Sequence, residues 1–279
     1  MAEALNNESM VQTFNTGETQ EELRANYNPE ESELRRGQLR ILEILKYIDK
    51  VCREQGIQYS LDSGNVLGAV RHGGFIPWDD DADIIMEWKD YRKFRRYVLK
   101  HPHPQFVLQC YRTDHHYFQL NGVMRDLNSE YVIDSPMHNC RKYRGMQVDI
   151  FPIERGAFKS LHKLLAHAAS FTNGRLAGRY NILAAAFFLA TAVMAVIARG
   201  VSSLFGKQDV CMYFYGSFFD EVYSYQDLFP SQAIPYEDTT LMAPNHVEAF
   251  LKSQYGESYM NLPPKDARNH HGVKEYRVD

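Results

Sequence analysis

The stretch that decides the fold is YSLDSGNVLGAVRHGGFIPWDDDADI, residues 59–84. It opens with alternating apolar and polar residues, a pattern typical of a short strand, and turns at Ser63-Gly64. A short helix is predicted over 65–71 and a second strand over 82–88. Strand, helix and strand in this order favour a sheet covered by helices, an α/β or α+β architecture, over a bundle or a sandwich.

Hydrophobic periodicity extends this pattern in both directions along the chain. It predicts helices over 34–55, 89–100, 158–180 and about 207–224, with another in VEAFLKSQYG, which ends at Gly256. It predicts strands over 105–111, 116–126, 130–134 and 146–154, the last of them ended by Pro152. The sequence shows no internal repeat and no low-complexity tract.

Composition excludes several classes of protein. Of 279 residues, 44% are hydrophobic and 24% charged, which excludes wholesale disorder and a polytopic membrane protein. With 31 basic and 35 acidic residues, net −4, the chain has no global basic field, and we expect no nucleic-acid partner. Four scattered cysteines without a C-x-x-C pair exclude a disulfide scaffold and a zinc ribbon, and indicate reduced thiols in a cytoplasm.

The chain divides into an arm and one large domain. Residues 1–33 are polar and acidic, without a basic n-region or an apolar h-region, so they predict a flexible N-terminal arm rather than a secretory signal. Residues 34–279 form the predicted catalytic domain, with a helical apolar insertion at about 158–224.

One segment resists the soluble interpretation. Residues 182–198, ILAAAFFLATAVMAVIA, are 17 uncharged residues flanked by Arg175, Arg179 and Arg199. Spanning a bilayer takes about 20 apolar residues, with a lower limit near 17. Three interpretations stay open: a buried core helix, an interfacial or re-entrant helix, and a true span. The basic flanks favour a membrane contact, because Lys and Arg seek anionic headgroups.

The strongest chemical signal is an acidic cluster. Four of the five residues at 79–83 carry carboxylates: Asp79, Asp80, Asp81 and Asp83. They repel one another unless a cation lies among them. If the segment is extended throughout, Asp79, Asp81 and Asp83 share one face and Asp80 points away. Crowded carboxylate oxygens suit Mg²⁺ or Mn²⁺. The alternative is a solvated acidic loop, but core-type residues frame the cluster on both sides and favour the metal.

Asp149 is the second part of the predicted site. It lies in MQVDIF, residues 146–151, so a carboxylate interrupts an apolar strand. A buried Asp is costly unless it is paired. A structural hydrogen bond is one explanation, and a third metal ligand from a neighbouring strand is the other. The acidic cluster upstream favours the metal ligand.

The third part is the turn Ser63-Gly64-Asn65, which runs from a strand into a helix start. Backbone N–H groups in such a turn can hold a phosphate, although Ser-Gly turns are common. Arg71 suits a phosphate clamp, with a surface salt bridge to a neighbouring aspartate as the alternative. His72 suits orientation of an acceptor or a phosphate, with a structural role as the alternative.

Together these residues resemble a known family. The stretch 59–84 is similar to the signature of the LicD family, which includes bacterial phosphocholine transferases and the catalytic domains of fukutin and fukutin-related protein. The resemblance continues through VMRD at 123–126 and VDIFPI at 148–153, and returns in YGESYM at 255–260 and LPP at 262–264. It covers about residues 35–155 and 225–271.

The resemblance implies a nucleotidyltransferase-like mixed sheet flanked by helices. In that fold a small-residue turn, here Ser63-Gly64, precedes an Asp-x-Asp strand, here Asp81 with Asp83. A further carboxylate from a nearby strand, here Asp149, completes the implied metal site. Members commonly have Gly-Thr or Gly-Ser where this chain has Gly64-Asn65, and the apolar run lies in the variable middle of the family.

The implied activity is transfer of a phosphorylated alcohol, phosphocholine first, from a CDP-linked donor to a sugar hydroxyl. The acceptor is a cell-surface glycan or its lipid-linked precursor, and the ion is Mg²⁺ or Mn²⁺. The implied catalytic residues are Asp79, Asp81, Asp83 and Asp149, with Asp79 or Asp149 accepting the hydroxyl proton. Arg71 and Arg125 are candidates for diphosphate contacts, and the alternative for Arg125 is a surface charge at a strand end.

Two other functions fit the same carboxylates. One is a nucleotidyltransferase that moves a nucleotide to a small acceptor, and the other is a non-catalytic, membrane-associated scaffold. The expected location is the cytoplasm, with peripheral contact on the inner face of the cell membrane if 182–198 binds lipid. A single crossing by 182–198 is excluded if the C-terminal segment packs on the catalytic domain.

Overall fold

The structure is a computed structural model that describes residues 13–155, 159–202, 204, 209–213, 222–268 and 275–278. Its α-helices are α1 (Gln20–Tyr27), α2 (Glu33–Gln55), α3 (Ser63–His72), α4 (Trp88–Lys100), α5 (Pro136–Asn139), α6 (Lys159–Phe171), α7 (Asn181–Ser202), α8 (Tyr225–Leu228) and α9 (Val247–Tyr255). Its strands are β1 (Ser60–Leu61), β2 (Asp83–Glu87), β3 (Phe106–Gln109), β4 (Gly122–Asp126), β5 (Ser129–Val132), β6 (Gln147–Arg155), β7 (Val210–Tyr213), β8 (Val222–Ser224), β9 (Gln232–Tyr236), β10 (Thr239–Ala243) and β11 (Glu275–Val278).

A mixed sheet forms the centre of the fold. Its main path is β1-β2-β6-β4-β3, and β7 and β8 continue from β6. Strands β2 and β6 run parallel, whereas the other pairs are antiparallel. The prediction of a mixed α/β sheet flanked by helices is confirmed. Two small two-stranded sheets, β9–β10 and β5–β11, lie outside the main sheet.

The two faces of the sheet have different roles. Helices α2 and α4 pack on the face that carries the buried side chains of Met124, Val148 and Ile150. Because side chains alternate along a strand, the opposite face carries Asp83 and Asp149. The helices therefore bury one face and leave the carboxylates on the other.

Helix α2 forms as its sequence predicts. Its apolar residues recur every three to four positions and are buried along one side. The Ser32 side chain accepts a hydrogen bond from the Arg35 amide at the first turn, and Gly56 ends the helix with φ 58°. These caps satisfy backbone groups that the helix itself leaves open.

The helix predicted over about 207–224 is wrong. Residues 210–213 and 222–224 are strands β7 and β8, and 214–221 lie outside the described residues. Tyr213 pairs in register with Ile153 of β6, so β7 extends the central sheet. Pairing with a neighbouring strand overrides the local helical pattern here.

The sequence suggested that Pro152 ends its strand. This is wrong, because β6 continues to Arg155. The Asp149 amide donates a hydrogen bond to the Ala82 carbonyl, on the edge of β6 that faces β2. Because successive backbone amides along a strand point to opposite edges, an amide at position 152 would face away from β2. There Pro152 falls between the stretch paired with β4 and the stretch paired with β7. The missing N–H therefore breaks no ladder bond.

The segment predicted as a flexible arm, 1–33, contains ordered structure from Thr13 onward, and residues 1–12 lie outside the described part. Thr13 bridges to Thr19, whose side chain and that of Glu22 form a reciprocal capping box for α1. Leu23 of α1 is fully buried in the main core. A few apolar residues in this acidic segment are buried against the domain. The polarity of the local sequence does not reveal this burial.

Between β6 and β7 the chain makes a helical excursion. Helix α6 leads through a π-helical turn, Thr172–Leu176, into α7, which contains the whole apolar run. Residues 181–201 of α7 are long and apolar enough to cross a membrane. Their mean hydropathy is 2.3, and 28% of this stretch is buried against the protein. The inserted segment is therefore helical over α6 and α7, and the division of the chain into arm, domain and insertion stays a prediction.

Candidate active site on the open face of the sheet

Two carboxylates lie side by side on adjacent parallel strands. Asp83 opens β2 and is in register with Asp149 of β6, and the Asp149 amide donates to the Ala82 carbonyl at 2.8 Å. In-register residues on neighbouring strands point to the same face. The structure therefore places Asp83, the second aspartate of the Asp-x-Asp pair, beside the downstream carboxylate of Asp149.

The preceding aspartates form a tight group of their own. Carboxylate oxygens of Asp79, Asp80 and Asp81 all lie within 4.8 Å of one another. The strand begins only at Asp83, so the alternation predicted for the whole segment does not hold before it. Asp80 is fully buried and accepts a hydrogen bond from the Tyr276 hydroxyl at 2.7 Å.

Charge and burial shift the titration of the paired carboxyls. Burial, with added repulsion from Asp81 and Asp149, raises the pKa of Asp83 well above its usual range. Burial also raises the pKa of Asp149 to about 6; Arg125 opposes this shift and Asp81 adds to it. A bound cation would relieve both effects. The donor set, carboxylate oxygens only, fits Mg²⁺ or Mn²⁺.

The turn before α3 lies against this acidic group. Asp62 caps α3, accepting a hydrogen bond from the Ser63 amide at 2.9 Å, and Ser63 adopts φ 43°. A Cβ added to Gly64 would lie 3.1 Å from Asp79 Oδ2, tighter than ordinary packing. The glycine therefore lets the turn approach the carboxylate, and the predicted turn and acidic cluster are neighbours.

Asn65 ties the turn to the strand. Its Oδ1 accepts a hydrogen bond from the Asp83 amide at 2.6 Å, and its Nδ2 donates to the Tyr236 hydroxyl at 3.3 Å. Both ends of the side chain are thus engaged inside the protein. This geometry favours a positioning role for Asn65 over the predicted donation to a phosphate.

Arg71 and His72 join α3 to both ends of the chain. Arg71 donates through Nε to His72 Nε2 at 2.9 Å, and through Nη1 to the carbonyls of Tyr259 and Asn261 at 3.3 and 3.0 Å. Because Nε2 accepts, the His72 proton lies on Nδ1 and is donated to Gln20 Oε1 at 2.7 Å.

Burial lowers the pKa of His72 to about 3 and that of Arg71 to about 10. His72 is therefore neutral at physiological pH, wedged between the Phe14 and Trp78 rings. These contacts favour the structural alternative for both residues over a phosphate clamp and an acceptor-orienting histidine.

Arg125 is not the surface charge that one interpretation of the sequence allowed. It is fully buried on β4 and donates to Gln109 Oε1 at 2.9 Å and to the Gly145 carbonyl at 2.8 Å. Its Nη2 has no hydrogen-bond partner among the described residues. The β4–β6 register places Arg125 on the face of Asp149, whose pKa it lowers.

Sequence reasoning missed two further residues near Asp149. The Arg141 guanidinium lies over the Tyr117 ring, 5.0 Å from its centroid. Arg141 Nε and the Tyr117 hydroxyl are buried without hydrogen-bond partners in the part of the chain that the structure describes. Arg141 lowers the pKa of Asp149, and Asp149 contributes to the raised pKa of Tyr117. Neither residue lies in a motif, so no sequence signal marks them.

A small-residue turn thus lies beside carboxylates on two adjacent strands, which is the arrangement that the resemblance to the LicD family implies. Comparison with known proteins agrees. A family model described as LicD/FKTN/FKRP, nucleotidyltransferase domain, matches residues 56–167, which include all the predicted site residues. The resemblance to the LicD family is therefore confirmed for this part of the chain.

Three relatives are similar to parts of this chain. The lipopolysaccharide cholinephosphotransferase LicD of Haemophilus influenzae is 41% identical over 76 residues, 27% of this chain and 29% of LicD. The ribitol 5-phosphate transferase FKRP of Homo sapiens is 45% identical over 48 residues, 17% of this chain and 10% of FKRP. The uncharacterized protein RT0683 of Rickettsia typhi is 36% identical over 77 residues, 28% of this chain and 23% of RT0683. The chain thus matches less than a third of the length of each relative.

Proposed function

We propose that this protein transfers a phosphorylated alcohol from a CDP-linked donor to a sugar hydroxyl of a cell-surface glycan or its lipid-linked precursor. The observation that carries the proposal is the in-register pair Asp83 and Asp149, which lies inside the segment similar to LicD and FKRP. The names of those relatives specify cholinephosphate and ribitol 5-phosphate. Phosphocholine is the first candidate for the group transferred.

The proposed metal ligands are Asp81, Asp83 and Asp149, and the proposed ion is Mg²⁺ or Mn²⁺. Support comes from the raised pKa values of Asp83 and Asp149, since a cation beside crowded, half-buried carboxylates favours their ionised form. When bound, the ion would neutralise the donor diphosphate and the departing nucleotide monophosphate.

The remaining chemistry falls to side chains of this chain. Asp79 is half-buried beside the turn at Gly64 and is the proposed base for the sugar hydroxyl, because Asp149 is assigned to the metal. Arg125, Arg141 and Tyr117 have open hydrogen-bond donors near Asp149. We assign these donors to oxygens of the donor phosphates, since charge-assisted hydrogen bonds to phosphate are strong.

We place the reaction in the cytoplasm. All four cysteines are free thiols, and Cys52, Cys110 and Cys211 are buried. Free, mostly buried thiols fit a reducing compartment, where disulfides rarely persist.

A donor panel tests the function. The purified chain is incubated with Mg²⁺ and a glycan acceptor, and separately with CDP-choline, CDP-ribitol and CTP. Acceptor-dependent release of CMP with a phosphodiester on the glycan supports the proposal. Pyrophosphate release from CTP, with the nucleotide attached to an acceptor, would instead establish the nucleotidyltransferase alternative. No turnover of any donor over a range of acceptors would favour the scaffold.

A further inference from the structure

Helix α7 packs on the protein through a narrow stripe of mostly small residues. Its buried positions are Ala184, Phe188, Thr191, Ala195 and Ala198, spaced by three or four residues. They form one stripe along the helix. This stripe rests on Phe118 and Leu165 and on side chains around them.

The rest of α7 presents large apolar side chains to the outside. Ile182 is 88% exposed, Val193 59% and Val196 63%. The same surface carries Leu183, Phe187, Leu189, Met194, Ile197 and Val201, each between 42% and 60% exposed. A helix at an aqueous surface has polar residues at such positions, so this one is matched to an apolar environment.

Helix α6 and the turn after it widen the apolar surface. Leu164 is 61% exposed and Phe171 47%, and the Phe171 ring lies 5.8 Å from that of Phe187 in α7. Tyr180, at the start of α7, is 61% exposed. We call these exposed side chains of α6, Tyr180 and α7 the apolar face.

Positive charge lies at one end of the apolar face. Arg175 and Arg179 are both exposed, and neither has an ion-pair partner among the described residues. Arg199, near the other end, is bound to Glu154 at 2.7 Å. Unpaired arginines and an exposed tyrosine beside a broad apolar surface fit the headgroup region of an anionic bilayer.

The strand pairing shows how the helix meets the bilayer. Strand β6 precedes α6, β7 follows α7, and Ile153 of β6 pairs in register with Tyr213 of β7. A single crossing would place these paired strands in different compartments. The buried stripe also keeps one side of α7 on the protein, which excludes a helix surrounded by lipid.

We propose that the apolar face binds the surface of a bilayer containing anionic lipid, with α7 lying along the interface. This inference goes beyond the proposed reaction and stands on the exposure and charge of the face alone. It gives the apolar run at 182–198 a role in bringing the domain to a membrane.

Vesicle flotation of the full chain tests the proposal. Vesicles of phosphatidylcholine alone are compared with vesicles that also contain phosphatidylglycerol. The wild type is expected to float with the anionic vesicles and to be released by alkaline carbonate. In Val193→Glu/Ile197→Glu, which alters only exposed positions, the bound fraction falls about tenfold because two charges enter the apolar contact. Leu127→Glu, an exposed leucine elsewhere, leaves binding unchanged.

A second variant separates the electrostatic contribution to vesicle binding from the apolar contribution. Arg175→Glu/Arg179→Glu is expected to lose binding to anionic vesicles at low salt, and high salt reduces the difference from the wild type. Failure of the wild type to float with either vesicle would overturn the proposal. So would retention after carbonate extraction, which indicates integral insertion. The wild type could instead be a dimer in lipid-free buffer and fail to bind vesicles. If Val193→Glu/Ile197→Glu then converted the dimer to a monomer, the apolar face would be assigned to contact with a second copy of the chain.

Discussion

Asp149 occupies a position where its ionised form is electrostatically unfavourable. Its pKa is raised to about 6, mainly by burial. The folded state therefore binds a proton more tightly than the unfolded state between pH 3.8 and about 6. Stability from this group is present below that window, falls as the pH rises through it and is lost above it. Strongly perturbed pKa values of this kind cluster at functional sites.

The raised pKa of Asp149 gives a stability prediction. In chelator at pH 8, Asp149→Asn is expected to be more stable than the wild type by about 1–3 kcal/mol, because the amide has no charge to bury. The gain shrinks at pH 5, and denaturant unfolding at the two pH values measures it. Asp238→Asn is the control, since Lys46 lowers the pKa of that exposed carboxyl and its removal brings no gain. Equal destabilisation by Asp149→Asn at both pH values would contradict the account.

Arg141 gives a prediction about donor binding. Arg141→Ala is expected to raise KM for the CDP-linked donor about tenfold or more, because a charge-assisted contact to phosphate is lost. Steady-state kinetics over a range of donor concentrations measures it. Lys142→Ala is the matched control, since the Lys142 ammonium lies over the Tyr143 ring at the surface and should leave KM unchanged. Equal effects of the two substitutions would remove Arg141 from the site.

These residues show what the sequence can reveal and where it fails. Asp83 and Asp149 were predictable because carboxylates in apolar strands are costly without a partner. The hydrogen bonds of Asn65 and His72 were not predictable, because their partners, Tyr236 and Gln20, lie far away along the chain. Arg141 carries no local signal and reaches the site only through the fold.

The Asn65 side chain is one of the links between α3 and β2. Asn65→Ala would leave the Asp83 amide and the Tyr236 hydroxyl without their partner, so we expect a loss of about 2 kcal/mol in the free energy of unfolding. Chemical denaturation measures the loss. Tyr236→Phe removes only the longer of the two bonds at Asn65 and should cost clearly less. A smaller effect of Asn65→Ala than of Tyr236→Phe would contradict this role.

Helix α3 also gives the protein an acid-sensitive contact. The pKa of His72 is lowered to about 3 by burial, with Arg71, Arg24 and Arg268 adding to the shift. The unfolded state binds its proton near pH 6.5, so this group's contribution is present above that pH and is lost as the pH falls towards 3. Between pH 6.5 and 4 the wild type is expected to lose about 1–3 kcal/mol from this group.

His72→Gln tests this linkage, because Gln keeps a donor and an acceptor but does not titrate. Its unfolding free energy should fall less steeply between pH 6.5 and 4 than that of the wild type. His138, whose pKa burial lowers to about 4, contributes to the remaining slope in both proteins. Parallel pH profiles would show that His72 is not the group responsible.

Helices proved easier to predict than strands that pair at long range. Helix α2 carries its apolar stripe and both caps in its own sequence. Strands β7 and β8 exist because β6 offers an edge, and the local pattern of 207–224 indicated a helix instead. The segment from Thr13 to α1 was predicted as a loose arm because its buried residues are few and separated by charges.

The molecule as a whole combines an acidic site with an apolar helical excursion. Both ends of the excursion return to the central sheet at β6 and β7, and this pairing argues against a single crossing. The Asp-x-Asp stretch and the mixed sheet were predictable from the resemblance and from the order of elements. The exposure of α7 was not, because hydropathy alone does not distinguish a core helix from an interfacial one.

The central claim is that Asp83 and Asp149 support transfer of an alcohol phosphate. The most direct measurement is ³¹P NMR of a glycan acceptor after incubation with the purified chain, CDP-choline and Mg²⁺. We predict a new phosphodiester signal with one CMP released per transfer, reduced at least about a hundredfold in rate by Asp83→Asn. Product formed as fast by Asp83→Asn as by the wild type, or an acceptor carrying the nucleotide, would contradict it.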